Sequence, residues 1–113
     1  MNAVGSSHVS TADALATLGD SPKRFVQLFQ HGSLEVEIYA PRVTDPQTPH
    51  RRDEVYVVVS GSGTFVDGDV RRPFAPGDFV FVPAGKPHRF EDFSDDFATW
   101  VFFYGPDGGE QHA

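Results

Sequence analysis

The chain has 113 residues and a formal net charge of −7, enough for one domain with a real core and too short for two. The acidic balance argues against a nucleic-acid partner, which would want a basic face. There is no cysteine, which rules out a disulfide framework, a thiolate metal site and a cysteine nucleophile, so a transition-metal site must draw on His, Asp, Glu and water.

Eleven Phe supply large core side chains, and nine Pro with eleven Gly suit many short strands and turns better than long helices. No window approaches the roughly eighteen consecutive apolar residues of a membrane span. The first eight residues lack a basic region followed by an apolar core, so they are not a secretory signal. The expectation is a soluble cytoplasmic protein with neither a membrane nor a nucleic-acid partner.

In chain order, residues 1–9 read as a leader in which His8 is solvated. Ser10 and Asp13 have the spacing of a capping box. Ala14, Leu15 and Leu18 follow on one face and Gly19 supplies a stop, giving a short helix before Pro22. From Arg24 onward the pattern is strand and turn. Phe25 to Gln30 and Leu34 to Ala40 flank a Gly-containing hairpin loop in which His31 is a surface residue. Leu34, Val36 and Ile38 alternate with Glu35, Glu37 and Tyr39, the period of a half-buried strand. Pro41 to Pro49 is irregular and carries three prolines. A loop of that kind is uncomfortable in a small domain unless it lines something.

Glu54 to Ser60 is the next strand, closed by Gly61-Ser62-Gly63. Thr64 to Val66 and Val70 to Phe74 form a hairpin about Asp67-Gly68. Ala75-Pro76-Gly77-Asp78 fits a type II turn. Phe79 to Val82, His88 to Phe93 and Phe97 to Tyr104 complete the series. The division is residues 1–22 leader and helix, 23–105 barrel, and 106–113 a flexible tail that includes His112. Eight or nine short strands imply an antiparallel sandwich or barrel. Val55 to Val59 and Phe79 to Val82 are apolar on both faces, so a sheet face needs cover, and the prediction is a homodimer.

His50 and Glu54 stand out at the mouth of an apolar run. On a straight strand they would lie about 13 Å apart, whereas two ligands of one ion bring their donors to about 2 Å from it. For both to serve one site, the chain must double back at Arg51-Arg52-Asp53, with His50 ending one strand and Glu54 beginning the next.

Two stretches carry a resemblance: His50-x3-Glu54-x6-Gly61, and Gly77-x5-Pro83-x-Gly85-x2-His88 with Asp92 beyond. They resemble the two motifs of the cupin superfamily, Gly-x5-His-x-His-x3-4-Glu-x6-Gly and Gly-x5-Pro-x-Gly-x2-His-x3-Asn. The second is nearly complete. In the first, Arg42 stands at the leading Gly and Thr48 at the first His, and Asp92 replaces the closing Asn of the second. The resemblance implies an all-β antiparallel jelly-roll (cupin) barrel with one short N-terminal helix. It also implies one divalent transition metal held by His50, Glu54 and His88. Two imidazoles and a carboxylate with open positions suit Fe(II) first, with Mn, Ni, Co or Zn also able to fit. Gln47, through its amide oxygen, and Thr48 are candidates to complete the set. The competing reading is a metal-free polar cluster that binds ligand directly or survives as a satisfied network.

Strand parity extends the site. If Glu54 points inward, so do Tyr56 and Val58; if His88 does, so do Phe90 and Asp92. Tyr56 is then the candidate general acid or substrate hydrogen-bond donor, against a reading as a wall-packing aromatic. The last strand offers either Trp100, Phe102 and Tyr104 or Thr99, Val101 and Phe103 to a small, aromatic-lined pocket. Arg51 and Arg52 steer an anionic substrate or are solvated turn residues. Cupin relatives include dioxygenases, isomerases, lyases and decarboxylases, so fold does not choose the reaction. The ligand set points to dioxygenase-like chemistry on a small polar molecule. The alternative is a cupin that binds or senses a small ligand without turnover.

Overall fold

In a computed structural model of the chain, residues 7–111 are described. Most of the expected leader and His112 lie outside that range. The helix α1 spans Thr11–Gly19, and its N-terminus is capped as the sequence suggests, with Ser10 Oγ accepting the Asp13 amide at 3.0 Å. Ala14 and Leu18, one turn apart, are the residues it buries, while Leu15 remains exposed. Gly19 is the last helical residue rather than a left-handed stop, and Asp20 closes the helix in a right-handed conformation, its amide reaching the carbonyls of Ala16 and Thr17.

Among the described residues eight strands follow: β1 Phe25–His31, β2 Leu34–Tyr39, β3 Asp53–Ser60, β4 Gly63–Asp67, β5 Val70–Phe74, β6 Phe79–Val82, β7 His88–Glu91 and β8 Ala98–Tyr104. They form a five-stranded sheet in the order β1-β2-β8-β3-β6 and a three-stranded sheet in the order β5-β4-β7. Every strand pairing is antiparallel. This is the all-β jelly-roll architecture with one short helix. Among the described residues no helix is long and apolar enough to cross a membrane.

Two apolar clusters lie on opposite faces of the larger sheet. Between the sheets, Tyr56, Val58, Phe65, Phe74, Phe90, Phe97 and Val101 form the barrel core. Phe90 is its hub, with ring centroids 4.7 Å from Phe97, 4.9 Å from Tyr56 and 5.0 Å from Phe65. Burying a Phe side chain contributes roughly 1.5–3 kcal/mol, so this cluster is the main driving force for closure. On the outer face, Ala14 and Leu18 of α1 pack on Leu28, Ile38, Ala40 and Ala98.

The helix decides which face of β2 looks inward. Ile38 pairs with Trp100 and Glu37 with Val101 across the β2–β8 ladder, and residues directly opposite share a face. Ile38 and Trp100 belong to the outer cluster, whereas Val101 lies in the barrel core. The apolar set of β2 therefore faces the helix, and Glu35, Glu37 and Tyr39 face the barrel. The same ladder settles the last strand: Thr99, Val101 and Phe103 point inward.

Two close approaches fix the ends of β3. Gly61 has φ +86°, and a Cβ there would come within 2.5 Å of the Phe97 Cα, so only glycine fits this motif position. At the other end the segment after β8 lies across the start of β3, where the sequence suggested a free tail. The Gly108 amide donates to the Arg51 carbonyl at 2.6 Å and the Glu110 amide to Asp53 Oδ2 at 2.8 Å. The other oxygen of Asp53 accepts the Ala84 amide at 3.0 Å.

Candidate metal centre

Glu54, Tyr56 and Val58 occupy the inner face of β3, all at most 2% exposed. His88 opens β7 after the Pro83–Pro87 turn and is also buried. His50 arrives on the loop between β2 and β3 rather than at the end of a strand, correcting the expected geometry. Pro46 and Pro49 lack the N–H groups a ladder needs, and among the described residues the loop makes only an isolated bridge between Arg42 and Thr44. The chain does double back at Arg51 and Arg52, and the Gly85 amide donates to the His50 carbonyl at 2.7 Å, tying the two motif loops together.

The result is convergence. Donor atoms of His50, Glu54 and His88 all lie within 4.8 Å of one another. Glu54 Oε1 is 3.2 Å from His88 Nε2 and 3.7 Å from His50 Nε2. Despite that proximity, among the described residues neither oxygen of the buried Glu54 carboxylate receives a hydrogen bond of acceptable geometry. An unsatisfied buried carboxylate is costly, and a cation between it and the imidazoles removes the cost. The donor set therefore fits a divalent metal.

The surroundings orient the candidate donors. His88 Nδ1 sits 2.9 Å from the Lys86 carbonyl, which can only accept, so Nδ1 carries the proton and the lone pair of Nε2 is left for the site. Burial pulls the His88 pKa down, but the adjacent Glu54 carboxylate and the Lys86 carbonyl outweigh it and the net shift is upward. His50 is shifted downward, chiefly by burial, with Glu54 opposing and His88 reinforcing.

Gln47 stands at the same centre. Its Oε1 is 3.0 Å from His50 Nε2 and accepts the Tyr56 hydroxyl at 2.9 Å. The amide cannot be reversed, because its nitrogen donates to Asp45 Oδ2 at 2.7 Å and a carboxylate only accepts. Asp45 is fixed in turn by the Tyr39 hydroxyl and by the Phe90 amide at 2.9 Å. Thr48, by contrast, is exposed and lies outside the cavity beside the centre. Tyr56 is fully buried with its hydroxyl 3.0 Å from His88 Nε2; burial first, then Glu54, pushes its pKa well up, so it holds its proton.

Other expectations fare differently. Phe90 follows His88 inward, but Asp92 does not: β7 ends at Glu91 and Asp92 has φ +52° and a mostly exposed side chain, so alternation is lost before it. Arg52 is held by Glu35 and Arg51 by Asp107. Asp45, Tyr39 and Glu37 were not anticipated as site residues. The signal for the last two was the alternation in β2, legible once the helix claims the apolar face.

A cavity of about 740 Å³ opens beside the centre. His50 and Gln47 form its boundary with the buried Glu54 and His88; Glu37, Tyr39 and Phe103 line its wall, and Lys23, Arg24 and Arg42 also reach it. The Pro41–Pro49 loop does line something, supplying Pro41, Arg42, Thr44, Pro46 and Gln47 to this cavity.

The motif geometry and the fold together define the class, and comparison with known proteins agrees. The chain belongs to the cupin family: the profile described as "Cupin domain" matches residues 35–104. It is similar to an uncharacterized protein of Streptomyces coelicolor, SCO3923, at 38% identity over 85 residues, covering 74% of this chain and 81% of that protein. It is also similar to the dimethylsulfoniopropionate lyase DddQ of Ruegeria pomeroyi, at 33% identity over 61 residues, 53% of this chain and 30% of the lyase. The crystal structure of that lyase superposes with a TM-score of 0.62 at 27% identity, over 72% of this chain and 46% of the lyase chain. The chain thus spans less than half of DddQ. A putative mannose-6-phosphate isomerase of Ralstonia eutropha superposes with a TM-score of 0.57 at 27% identity, over 74% of this chain and 83% of that one.

Proposed function

We propose that this cupin is a metal-dependent enzyme of the lyase or isomerase type acting on a small, oxygen-bearing molecule, with the ion held by His50, Glu54 and His88. The observation that carries the reading is the buried Glu54 carboxylate, unsatisfied and facing two imidazole nitrogens. Fe(II) is the first candidate and Mn, Ni, Co and Zn the others. The Gln47 amide oxygen completes the set in place of the histidine missing at Thr48. Bound there, the ion supplies Lewis-acid polarisation of a substrate oxygen. Tyr56, kept protonated by burial, donates a hydrogen bond or a proton to the reacting group by turning its hydroxyl from Gln47. The named relatives, a lyase and a putative isomerase, favour chemistry without net oxidation.

A dioxygenase-like reaction is the second reading, favoured by the two-His-one-carboxylate set with open positions. Oxygen consumption with small diketones, thiols and phenols separates it from the first. A cupin that binds a small ligand without turnover gives neither product nor oxygen uptake. We further propose a cytoplasmic homodimer: Phe79 and Phe81 project from the edge strand β6 at 67% and 43% exposure, beside Val55 and Val57 on the adjoining strand, and a second copy covers them. A monomer by light scattering at micromolar concentration contradicts that.

The test of the main reading is elemental analysis of protein purified without added metal. One transition metal per chain, lost in His50→Ala, is the expected result. If no metal co-purifies or binds with micromolar affinity, the reading fails.

A further inference from the structure

Glu37 has no role in the centre described above, yet it sits in the wall of the same cavity. Its place on the inner face of β2 follows from its pairing with Val101. The neighbouring inward carboxylate, Glu35, is neutralised by Arg52. Among the described residues the Glu37 side chain has no ion-pair and no hydrogen-bond partner. Gln27, opposite it on β1, has its amide nitrogen on Gln30, and Arg42, also reaching the cavity, donates to the Asp95 carbonyl. A half-buried carboxylate left without a partner beside Tyr39, Val101 and Phe103 destabilises the fold slightly and is free to act on a ligand.

We propose that Glu37 is the proton-accepting group of this cavity, the general base toward a small ligand whose acidic C–H bond adjoins a carbonyl. This rests on the metal-dependent reading and names the substrate class for it. The step balances within the pair: the C–H bond breaks, its proton forms an O–H bond on Glu37, and the electron pair makes a C=C bond as the carbonyl pair moves onto oxygen. Return of the proton to a neighbouring atom gives an isomer; loss of a group from the next carbon gives an elimination. Neither needs an oxidant. His50 and Gln47 bound the cavity toward the metal ligands, and Glu37 lies in the wall lining it, so a ligand filling the space meets both.

The electrostatics agree with the task. Burial first, then the charges of Glu35 and Glu54, raise the Glu37 pKa from 4.5 to about 7, where a base is both deprotonated and strong enough to accept a proton. Lys23, Arg24 and Arg42 reach the same cavity and His50 its inner boundary. A cation on Glu54 removes part of the upward shift.

The test is deuterium wash-in from D2O into pyruvate and hydroxyacetone by the metal-loaded full-length protein, with metal content measured on the same samples. The wild type incorporates deuterium. Glu37→Gln loses at least about 100-fold of that rate, the usual range for a general base, while its metal content is unchanged. Wild-type wash-in rises with pH to a plateau and the residual activity of the variant does not. Exchange by Glu37→Gln within a few-fold of wild type overturns the proposal, as does a metal-loaded wild type that exchanges neither probe. A wild type that takes up no metal contradicts the metal reading instead, and its wash-in compared with that of the variant still decides Glu37.

Discussion

At one end of the barrel interior Phe65, Phe74, Phe90 and Phe97 interlock, with Phe90 centred 4.7 Å from Phe97, 5.0 Å from Phe65 and 5.3 Å from Phe74. At the other, His50 and His88 converge on the Glu54 carboxylate, which no hydrogen bond from a described residue satisfies. The same strands build both: β3 carries Glu54 and Val58, β7 carries His88 and Phe90. The Phe end is satisfied by packing alone, whereas the polar end groups a carboxylate and two imidazoles that could hold a metal ion. The first accounts for stability and the proposed function falls to the second, and the two touch where the Phe90 amide donates to Asp45.

That division can be broken from either side. The largest effect is expected at the Phe end. Phe97→Ala, whose ring contacts are with Phe74, Phe90 and Phe93 rather than with the candidate ligands, costs about 3–5 kcal/mol in a denaturant melt while leaving metal stoichiometry unchanged in the folded fraction. At the polar end, Glu54→Gln keeps the shape and removes the charge; metal affinity by calorimetry falls at least about a hundredfold, and the melting temperature of the metal-free protein does not drop comparably. Asp45→Asn acts through Gln47 rather than on the ion, so a smaller loss is expected, about 10–100-fold in affinity. A variant with unchanged affinity would remove Gln47 from the ligand set.

The smallest effect is electrostatic. Glu37 has a folded pKa near 7 against 4.5 unfolded, so between those values the native state binds more protons than the unfolded one and stability falls as pH rises through the window. Glu37→Gln removes that loss. Allowing for solvent screening of a half-buried group, the variant is more stable than wild type by about 1–2 kcal/mol above pH 7, with no difference below pH 4.5. Urea melts at pH 4 and pH 8 read it.

Much of this organisation was legible in the sequence, because the fold is punctuated by glycine, proline and alternation. The second motif places Gly77 and Gly85 in left-handed turns, where side-chain-bearing residues are strained, and puts His88 at the start of its strand. The centre was legible as residue types at motif spacing. The orientation of β2 was not: alternation gives two faces without saying which is inner, and the choice was made by a helix that buries only Ala14 and Leu18. Asp45 was invisible for a related reason, since its partners Tyr39, Gln47 and Phe90 come from three separate segments. Asp92 was misplaced because strand parity was extended one residue past the end of the strand.

Titration of metal-stripped protein with Co(II), followed by its visible absorption, tests the central claim most directly. One ion should bind per chain, with a spectrum that changes on Gln47→Ala, and with affinity that rises with pH as His88 gives up its proton. Absence of binding at tens of micromolar Co(II), or binding undiminished in His88→Ala, would contradict the account.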